Sequence, residues 1–182
     1  MKLVFLDTET TGLDHIKHEI IEIAFVIFEN SGDEWTHSEV VRKIKPCHIE
    51  TAQPKALEIN GYNEKDWQEA NAQEWDLQFS LEVKNILRNS MIIGHNPMFD
   101  MRFIERQCSI HGIKLPRRPV FDTMCAGYLL GHQFLGMDKI RAAEPEMTTE
   151  GAHRALKDVE DCVFLFSKVF KIENLSKMLL TD

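Results

Sequence analysis

The sequence predicts an α/β domain in which helices cover a mixed β-sheet. Three observations lead to this prediction. Residues 2–9 form a short apolar stretch that ends in acidic residues. In the next apolar stretch, Glu19 to Phe28, large apolar residues recur at every second position, as in a strand. Further along the chain, short apolar segments are each followed by a segment with helical periodicity. Early strands followed by strand–helix pairs favour a sheet covered by helices.

The first three strands are expected to form an antiparallel meander. Residues 2–9 give the first strand and Glu19 to Phe28 the second. The turn-forming residues Asn30-Ser31-Gly32-Asp33 come next, so the third strand, about Glu34 to Lys45, is predicted to pair with the second as a hairpin.

The rest of the chain is predicted to hold two short strands and several helices. A loop-rich stretch with Pro46 and Pro54 leads into short helical pieces. The elements expected after it are a helix near 74–89, a strand at Met91-Ile92-Ile93-Gly94, a helix from Pro97 to about His111, a strand at Val120-Phe121, a helix capped by Asp122 and running to Leu130, a helix from about Gly136, and a long helix from about Ala152 whose apolar face carries Leu156, Val159, Val163, Phe166 and Phe170. The tail after Lys171 is predicted to be a short helix or a frayed end.

The composition is that of one globular domain with a full core. The chain has 182 residues, of which 43% are hydrophobic, and we expect a single domain over residues 1–182 with its core at about 2–170. The net charge of −8 argues against a protein that grips duplex nucleic acid through many phosphates. It does not exclude a nucleic-acid enzyme, because two divalent cations reverse the local charge of a carboxylate site.

Cysteine spacing and hydropathy indicate a cytoplasmic protein. The four cysteines are widely spaced and form no Cys-x-x-Cys pair, so they are expected to be reduced and mostly buried rather than zinc ligands or disulfides. No apolar segment is long enough to cross a bilayer, and the first apolar stretch is too short for a signal peptide.

The end of the first strand carries the most informative residues, Asp7 and Glu9. Side chains alternate along a strand, so these two carboxylates point to the same face. Two acids side by side at the end of an apolar strand repel each other and lose hydration, which calls for a compensating cation. Carboxylate oxygens suit the hard ions Mg²⁺ and Mn²⁺.

Further acids could join this pair, although each also fits an ordinary structural role. Asp100 falls in the first turn of a predicted helix, where acids are common because the helix dipole favours them. Asp158 lies beside the apolar face of the last helix, with His153 one and a half turns before it. Glu160 and Asp161 are predicted to be solvated.

Asp122 and the first acidic motif also occur in settings unrelated to such a site. Asp122 is well placed to cap the following helix, which is the commoner use of such a residue. An apolar strand ending in Asp-x-acid-x-Thr also opens phosphotransferases with an aspartyl nucleophile. Those enzymes need a second Asp in place of Glu9 and a Gly-Asp acidic loop, which is not found in this sequence. They stay a minor alternative.

Taken together, three segments resemble the exonuclease motifs of the DEDD superfamily. They are Asp7-Thr8-Glu9-Thr10-Thr11-Gly12-Leu13, His95-Asn96-Pro97-Met98-Phe99-Asp100 and His153-Arg154-Ala155-Leu156-Lys157-Asp158. A histidine five residues before the last Asp matches the DEDDh, or DnaQ-like, subgroup, whose members include ribonuclease T and the proofreading subunit of bacterial replicative polymerase. The resemblance implies the ribonuclease-H-like α/β fold, with a mixed five-stranded sheet whose first three strands are antiparallel.

The resemblance also implies the residues of the site. Asp7, Glu9, Asp100 and Asp158 would bind two Mg²⁺ or Mn²⁺ ions, and His153 would act as the general base. Residues implied in contacts with the terminal nucleotide are Thr10, Gly12, Leu13, Ile59, Asn60, His95, Asn96 and Phe99. For Phe99, stacking on a base and packing in the core are equally supported.

The implied activity is metal-dependent 3′-to-5′ hydrolysis of single-stranded DNA or RNA, with release of nucleoside 5′-monophosphates. A homodimer is expected by analogy with ribonuclease T, and Lys114, Arg117 and Arg118 are the only dense basic residues available for a substrate patch. The alternatives are a proofreading module that acts with a DNA polymerase and a non-catalytic nucleic-acid-binding module. The full set of four acids and His153 argues against the last.

Overall fold

A computed structural model describes residues 1–32, 34–172, 175, 178 and 179 of the chain. Its centre is a five-stranded sheet with the strand order β3-β2-β1-β4-β5. The strands are β1 (Lys2–Thr10), β2 (Ile20–Asn30), β3 (Trp35–Lys43), β4 (Met91–Gly94) and β5 (Val120–Asp122). The helices are α1 (Pro54–Asn60), α2 (Glu64–Glu69), α3 (Leu77–Ile86), α4 (Pro97–Ile110), α5 (Thr123–Leu129), α6 (Met137–Ala143) and α7 (Ala155–Phe170).

Strand pairing confirms the predicted mixed sheet. β1 pairs antiparallel with β2, and β2 pairs antiparallel with β3. β4 is parallel to β1, and β5 is parallel to β4. The carboxyl ends of β1, β4 and β5 therefore meet at one edge of the sheet, where ligands bind in open sheets of this kind.

Helices cover both faces of the sheet, and the alternation along β1 decides which side chains meet which helix. Val4 and Leu6 belong to a core cluster that includes residues of α3 and α4. Leu3 and Phe5 belong to a second cluster built with α7. Phe5 packs edge to face on Phe166 of α7, with ring centroids 5.4 Å apart. Odd-numbered side chains of β1 therefore face α7, and even-numbered ones face α4.

Most predicted elements are present, with one notable correction at α7. This helix begins at Ala155 rather than near Ala152, because the preceding residues turn. Gly151 and His153 both have positive φ, at 76° and 61°, and an α-helix cannot include such residues. α3 is also shorter than the predicted 74–89, because the carboxylate of Asp76 caps it by accepting a hydrogen bond from the backbone N–H of Phe79 at 2.7 Å.

Other predictions are met in part. All four cysteines are free, but Cys47 and Cys125 are exposed while Cys108 and Cys162 are buried, so burial was predicted correctly for only two. Asp33 of the predicted turn, and residues 173, 174, 176, 177 and 180–182 of the predicted tail, lie outside the described residues. Within the described part of the chain, no helix is long and apolar enough to span a membrane.

Candidate active site

Three acidic side chains converge at the carboxyl end of β1. Asp7 and Glu9 are odd-numbered residues of this strand and face α7, whose first turn carries Asp158. Each of the three offers a carboxylate oxygen, and these oxygens lie within 4.8 Å of one another. The alternation of β1 and the packing of α7 thus bring together residues that are about 150 positions apart in sequence.

Asp100 reaches the same edge from the opposite face of the sheet. It lies in the first turn of α4 and is only 3% exposed. Its Oδ1 accepts hydrogen bonds from the backbone N–H and the hydroxyl of Thr8, at 2.9 and 2.7 Å. Thr8 is an even-numbered residue of β1, so it faces α4 and holds Asp100 beside Asp7. Asp100 lies outside the group of three, but its negative charge contributes to raising the pKa of Asp7.

Burial and mutual repulsion shift the titration of these acids upwards. Burial, then the charges of Asp100, Asp158 and Glu9, raise the pKa of Asp7 well above its usual value. Burial and the charge of Asp158 raise the pKa of Glu9 to about 8. The pKa of Asp100 is raised by burial to about 7, against the hydrogen bonds from Thr8. Without a cation, the cluster therefore holds protons near neutral pH.

We expect the metal-free protein to lose stability as pH rises from 6.5 to 8. Glu9 and Asp100 hold their protons more tightly when folded than when unfolded, where they titrate near 4, so the native state binds more protons in this interval and ΔG of unfolding falls. A fall of at least about 1.4 kcal/mol, the equivalent of one pKa unit, is expected. Thermal unfolding of EDTA-treated protein at both pH values measures it. Saturating Mn²⁺ should abolish the fall, because the cation binds the ionised carboxylates. A Tm that rises with pH in EDTA would contradict the raised pKa values.

His153 lies in the loop before α7 rather than within the helix. Its backbone N–H donates to Asp158 Oδ1 at 3.3 Å, which places this loop at the acidic cluster. The imidazole Nε2 is 3.7 Å from Asp138 Oδ2, and the side chain is 39% exposed. A left-handed backbone is uncommon for residues other than glycine. His153 is thus held in a specific position with its ring accessible to solvent.

A buried arginine beside Asp158 went unnoticed in the sequence. Arg141 of α6 has no exposed side-chain surface and pairs with both Asp158 and Asp161. Asp161 is 2% exposed and also pairs with Lys157, so the prediction that it is solvated was wrong. Glu160 is half-buried, and burial raises its pKa. The sequence signals for this network are the i, i+3 spacing of Asp138 and Arg141 and the i, i+4 spacing of Lys157 and Asp161.

A second ion pair missed in the sequence anchors the His153 loop. Glu22 of β2 lies directly opposite Glu9 and is 3% exposed. Arg154 Nη2 lies 3.0 Å from Glu22 Oε2, and Arg154 Nε donates to the same oxygen at 3.2 Å. A buried glutamate in an otherwise apolar strand needs a partner. The position of Glu22 in such a strand is the sequence feature that indicates this pair. The pair ties the residue after His153 to the sheet.

The last residue of β1 and the segment after it include both buried and exposed groups. The hydroxyl of Thr10 donates to the carbonyl of Gly12 at 2.8 Å and is buried. Gly12 makes room for the ring of His18, because a Cβ atom there would lie 2.6 to 2.7 Å from it. The side chain of Leu13, by contrast, is 75% exposed. Among these three predicted nucleotide contacts, only Leu13 has a freely accessible side chain.

The helix α1 is docked against the end of β1 through Asn60. This buried side chain donates to the carbonyl of Thr10 at 3.0 Å and accepts from the backbone N–H of Tyr62 at 3.1 Å. Its neighbour Ile59 is 46% exposed. Asn60 thus has a structural role, and it places Ile59 near the end of the strand that carries the acids.

The loop between β4 and α4 is also fixed. His95 Nδ1 is 3.0 Å from the hydroxyl of Thr123, and burial lowers the pKa of His95. The backbone N–H of Asn96 donates to Asp122 Oδ1 at 3.0 Å, while Asp122 also caps α5 as predicted. Phe99 is half-buried, 5.0 Å from the Phe103 ring, and packs against the core, which favours the packing role for it.

The predicted basic residues line a surface cavity of about 770 Å³. Lys114, Arg117 and Arg118 lie before β5, and Lys84 and Arg88 lie at or just after the end of α3, before β4. Both segments enter the sheet at the amino ends of its parallel strands, so the cavity lies at the edge opposite the acids. In the described part of the chain, none of these five side chains has a carboxylate within ion-pair distance.

The acidic cluster has the donor chemistry of a hard divalent cation site. Its ligand atoms are carboxylate oxygens, and no described sulfur or imidazole nitrogen belongs to the group. Such a set suits Mg²⁺ or Mn²⁺ better than softer ions. Asp7, Glu9 and Asp158 would hold the cation, which would relieve the repulsion that raises their pKa values.

Comparisons with known proteins identify the family of this chain. The family model described as "Exonuclease" (RNase_T) matches residues 4–166. Ribonuclease T of Photorhabdus laumondii is 30% identical over 179 residues, covering 91% of this chain and 82% of its own length. Ribonuclease T of Klebsiella pneumoniae is 28% identical and is covered over 83% of its length. A PolC-type DNA polymerase III of Latilactobacillus sakei is 25% identical, with 92% of this chain but only 11% of the polymerase covered.

Solved structures share the fold. The zinc-bound form of Escherichia coli exonuclease I in complex with single-stranded DNA superposes with a TM-score of 0.75 at 19% identity. A product-bound exonuclease I gives a TM-score of 0.74 at 16% identity. Each covers 99% of this chain, which spans less than half of either structure, 43% and 46%. The chain therefore belongs to the exonuclease family, within the DnaQ-like DEDD superfamily of 3′-to-5′ exonucleases, and it is a hydrolase that acts on nucleic acid.

Proposed function

We propose that this chain removes nucleotides from the 3′ end of single-stranded DNA or RNA with two Mg²⁺ or Mn²⁺ ions and releases nucleoside 5′-monophosphates. The observation that carries this proposal is the convergence of Asp7, Glu9 and Asp158 within 4.8 Å, with Asp100 and His153 beside them. The cleavage direction comes from the family.

Each residue of the cluster has a part in the proposed hydrolysis. Asp7, Glu9, Asp100 and Asp158 hold the cations. Divalent cations bound there would offset the charge of the scissile phosphate and help to activate the attacking water. His153, whose ring is accessible, accepts the proton of that water as general base. The tether between Arg154 and Glu22 keeps His153 at the cluster during this transfer.

Two exposed apolar side chains are proposed to hold the terminal base. Leu13 follows β1, and Ile59 lies on α1, which Asn60 docks against the same strand end. Apolar side chains on either side of a base bind it without reading its sequence. Thr10, Gly12, His95 and Asn96 are proposed to line the same space.

The proposed partners beyond the substrate are a second copy of the chain or a polymerase. The basic cavity lies at the sheet edge opposite the acids, so a second copy is better placed to bring it to a bound strand than the same chain is. Similarity to ribonuclease T supports the dimer, and similarity to a PolC-type polymerase supports the alternative of a proofreading module. Light scattering after gel filtration, with and without an oligonucleotide, separates a dimer from a monomer.

A degradation assay tests the proposed activity. We expect 5′-labelled single-stranded oligonucleotides to shorten stepwise in Mg²⁺ or Mn²⁺, with 5′-monophosphates as product, and to stay intact in EDTA. Blunt duplexes should be cut at least about tenfold more slowly, because two accessible faces of an unpaired base are needed between Leu13 and Ile59. Matched DNA and RNA strands identify the preferred sugar, which depends on a contact to the 2′-hydroxyl. Shortening in EDTA would contradict the proposal. Release of the labelled 5′ nucleotide before the 3′ end is shortened would also contradict it.

A further inference from the structure

The side chain of Arg141 makes three ion pairs while fully buried. Its Nη2 pairs with Asp158 Oδ1, its Nε lies 2.5 Å from Asp161 Oδ2, and its Nη1 lies 3.0 Å from Asp138 Oδ1. Removing an arginine from water is unfavourable unless its partners are well placed. Three directed contacts from one planar group fix its orientation as well as its charge.

These contacts determine which oxygen of Asp158 is available. Oδ1 accepts from Arg141 and from the backbone N–H of His153. Oδ2 has no hydrogen bond to any residue that the structure describes. Asp158 contributes one carboxylate oxygen to the group formed with Asp7 and Glu9, and Oδ2 is the oxygen that these hydrogen bonds leave open for it.

The guanidinium is itself anchored from two sides. Asp161 Oδ1 pairs with Lys157 while its Oδ2 binds Arg141, which locks Asp161 in place on α7. Asp138 binds Arg141 through Oδ1, and its Oδ2 lies 3.7 Å from the His153 ring. One arginine on α6 therefore connects the acid of α7 with the loop that carries the imidazole.

We propose that Arg141 is a positioning residue that fixes Asp158 as a one-oxygen ligand of the cation site and so sets the affinity of that site for divalent metal. The proposal rests on the proposed function for the identity of the site. If Arg141 only compensated charge, any positively charged side chain at this position would be enough. Positioning of Asp158 requires the planar guanidinium, which donates several directed hydrogen bonds.

Substitution by lysine separates positioning from charge. Arg141→Lys keeps the positive charge but cannot make three directed contacts, and Arg141→Met removes the charge at similar length. Binding of Mn²⁺ to the full chain is measured by titration calorimetry at pH 7.5. Groups that orient metal ligands are typically worth 10- to 100-fold in metal affinity. We expect both variants to bind Mn²⁺ at least about tenfold more weakly than wild type, and kcat to fall in Arg141→Lys without a matching rise in KM.

Two further variants provide a control and an independent test of the role of Arg141. Arg42 pairs with Glu82 at 2.8 Å between β3 and α3, so Arg42→Lys is the matched control and should bind Mn²⁺ like wild type. Asp161→Asn loosens only one anchor of Arg141 and should give a smaller loss of affinity. It serves as the test if circular dichroism shows that the Arg141 variants do not fold.

The possible outcomes are distinct. Wild-type affinity in Arg141→Lys, or tighter binding in Arg141→Met, would overturn the positioning role and leave charge compensation. Unchanged affinity in Asp161→Asn would count against it in the same way. A wild type that binds no Mn²⁺ would refute both this role and the proposed function. A wild type that binds Mn²⁺ without degrading any oligonucleotide would refute the function alone, since the titrations do not depend on activity.

Discussion

Asp7→Asn is expected to lower the rate of 3′-end degradation by at least about 1,000-fold while the protein stays folded. Asp7 offers a carboxylate oxygen within 4.8 Å of those of Glu9 and Asp158, and the charge of Asp100 also raises the pKa of Asp7. Losing this ligand removes cation-dependent stabilisation of the transition state. A loss of about 4 kcal/mol of transition-state stabilisation corresponds to a 1,000-fold lower rate. Single-turnover degradation of a 5′-labelled oligonucleotide in Mg²⁺ measures it.

The stability of this variant provides an internal check. Burial and three like charges disfavour the ionised form of Asp7, so an amide should relieve repulsion in the metal-free protein. In EDTA, the Tm of Asp7→Asn should therefore equal or exceed that of wild type, and Mn²⁺ should no longer raise it. Glu39, an exposed acid on β3, gives the control Glu39→Gln, which should keep full activity. Wild-type turnover in Asp7→Asn would count against the whole cation scheme.

Strand alternation made the first half of the site predictable. Asp7 and Glu9 were placed on one face of a strand by spacing alone, and the structure puts both toward α7. Asp158 was placed beside the apolar face of the last helix, which is the face that packs on the sheet, although its assignment to the site came from the resemblance. These inferences worked because they depend on local periodicity and on burial, which a single sequence displays directly.

Contacts between distant segments could not be predicted in this way. Arg141 lies in a short helix whose composition suggests a solvated surface, yet it is fully buried against α7. Its partners on α7 are 17 and 20 residues away, and nothing local in the sequence requires the pairing with them. Asp161 was misjudged for the same reason. Asn60 was assigned to the nucleotide by resemblance, whereas its side chain is engaged with Thr10 and Tyr62.

The position of His153 shows how a local error can leave a functional assignment untouched. Its placement near a helix start assumed that the helix extends back to Ala152. The structure instead turns at Gly151 and His153, both with positive φ, and the helix begins at Ala155. Since the loop is held by Asp158 and by the pair between Arg154 and Glu22, the backbone of His153 stays at the cluster without belonging to the helix.

His153→Ala should keep metal binding but lose about 100-fold or more of the rate at neutral pH. General bases contribute on the order of 10² to 10⁴ in rate. The carboxylates do not depend on the imidazole, because the contact from His153 to Asp158 is made by the backbone N–H, which alanine retains. Mn²⁺ titration should therefore give an affinity close to that of wild type, and the rate of single-turnover cleavage should fall.

The pH dependence of this variant decides whether the imidazole takes the proton. Wild-type cleavage, measured with saturating metal, should slow on acidification, because a charged imidazole cannot accept the proton of the attacking water. In His153→Ala this slope should disappear, and hydroxide should become the more effective base as pH rises. His111 lies at the far end of α4 from Asp100, with Nε2 3.1 Å from the Trp75 carbonyl, so His111→Gln should keep the wild-type profile. An unchanged profile in His153→Ala would remove the residue from the proton transfer and leave it a role in holding the loop alone.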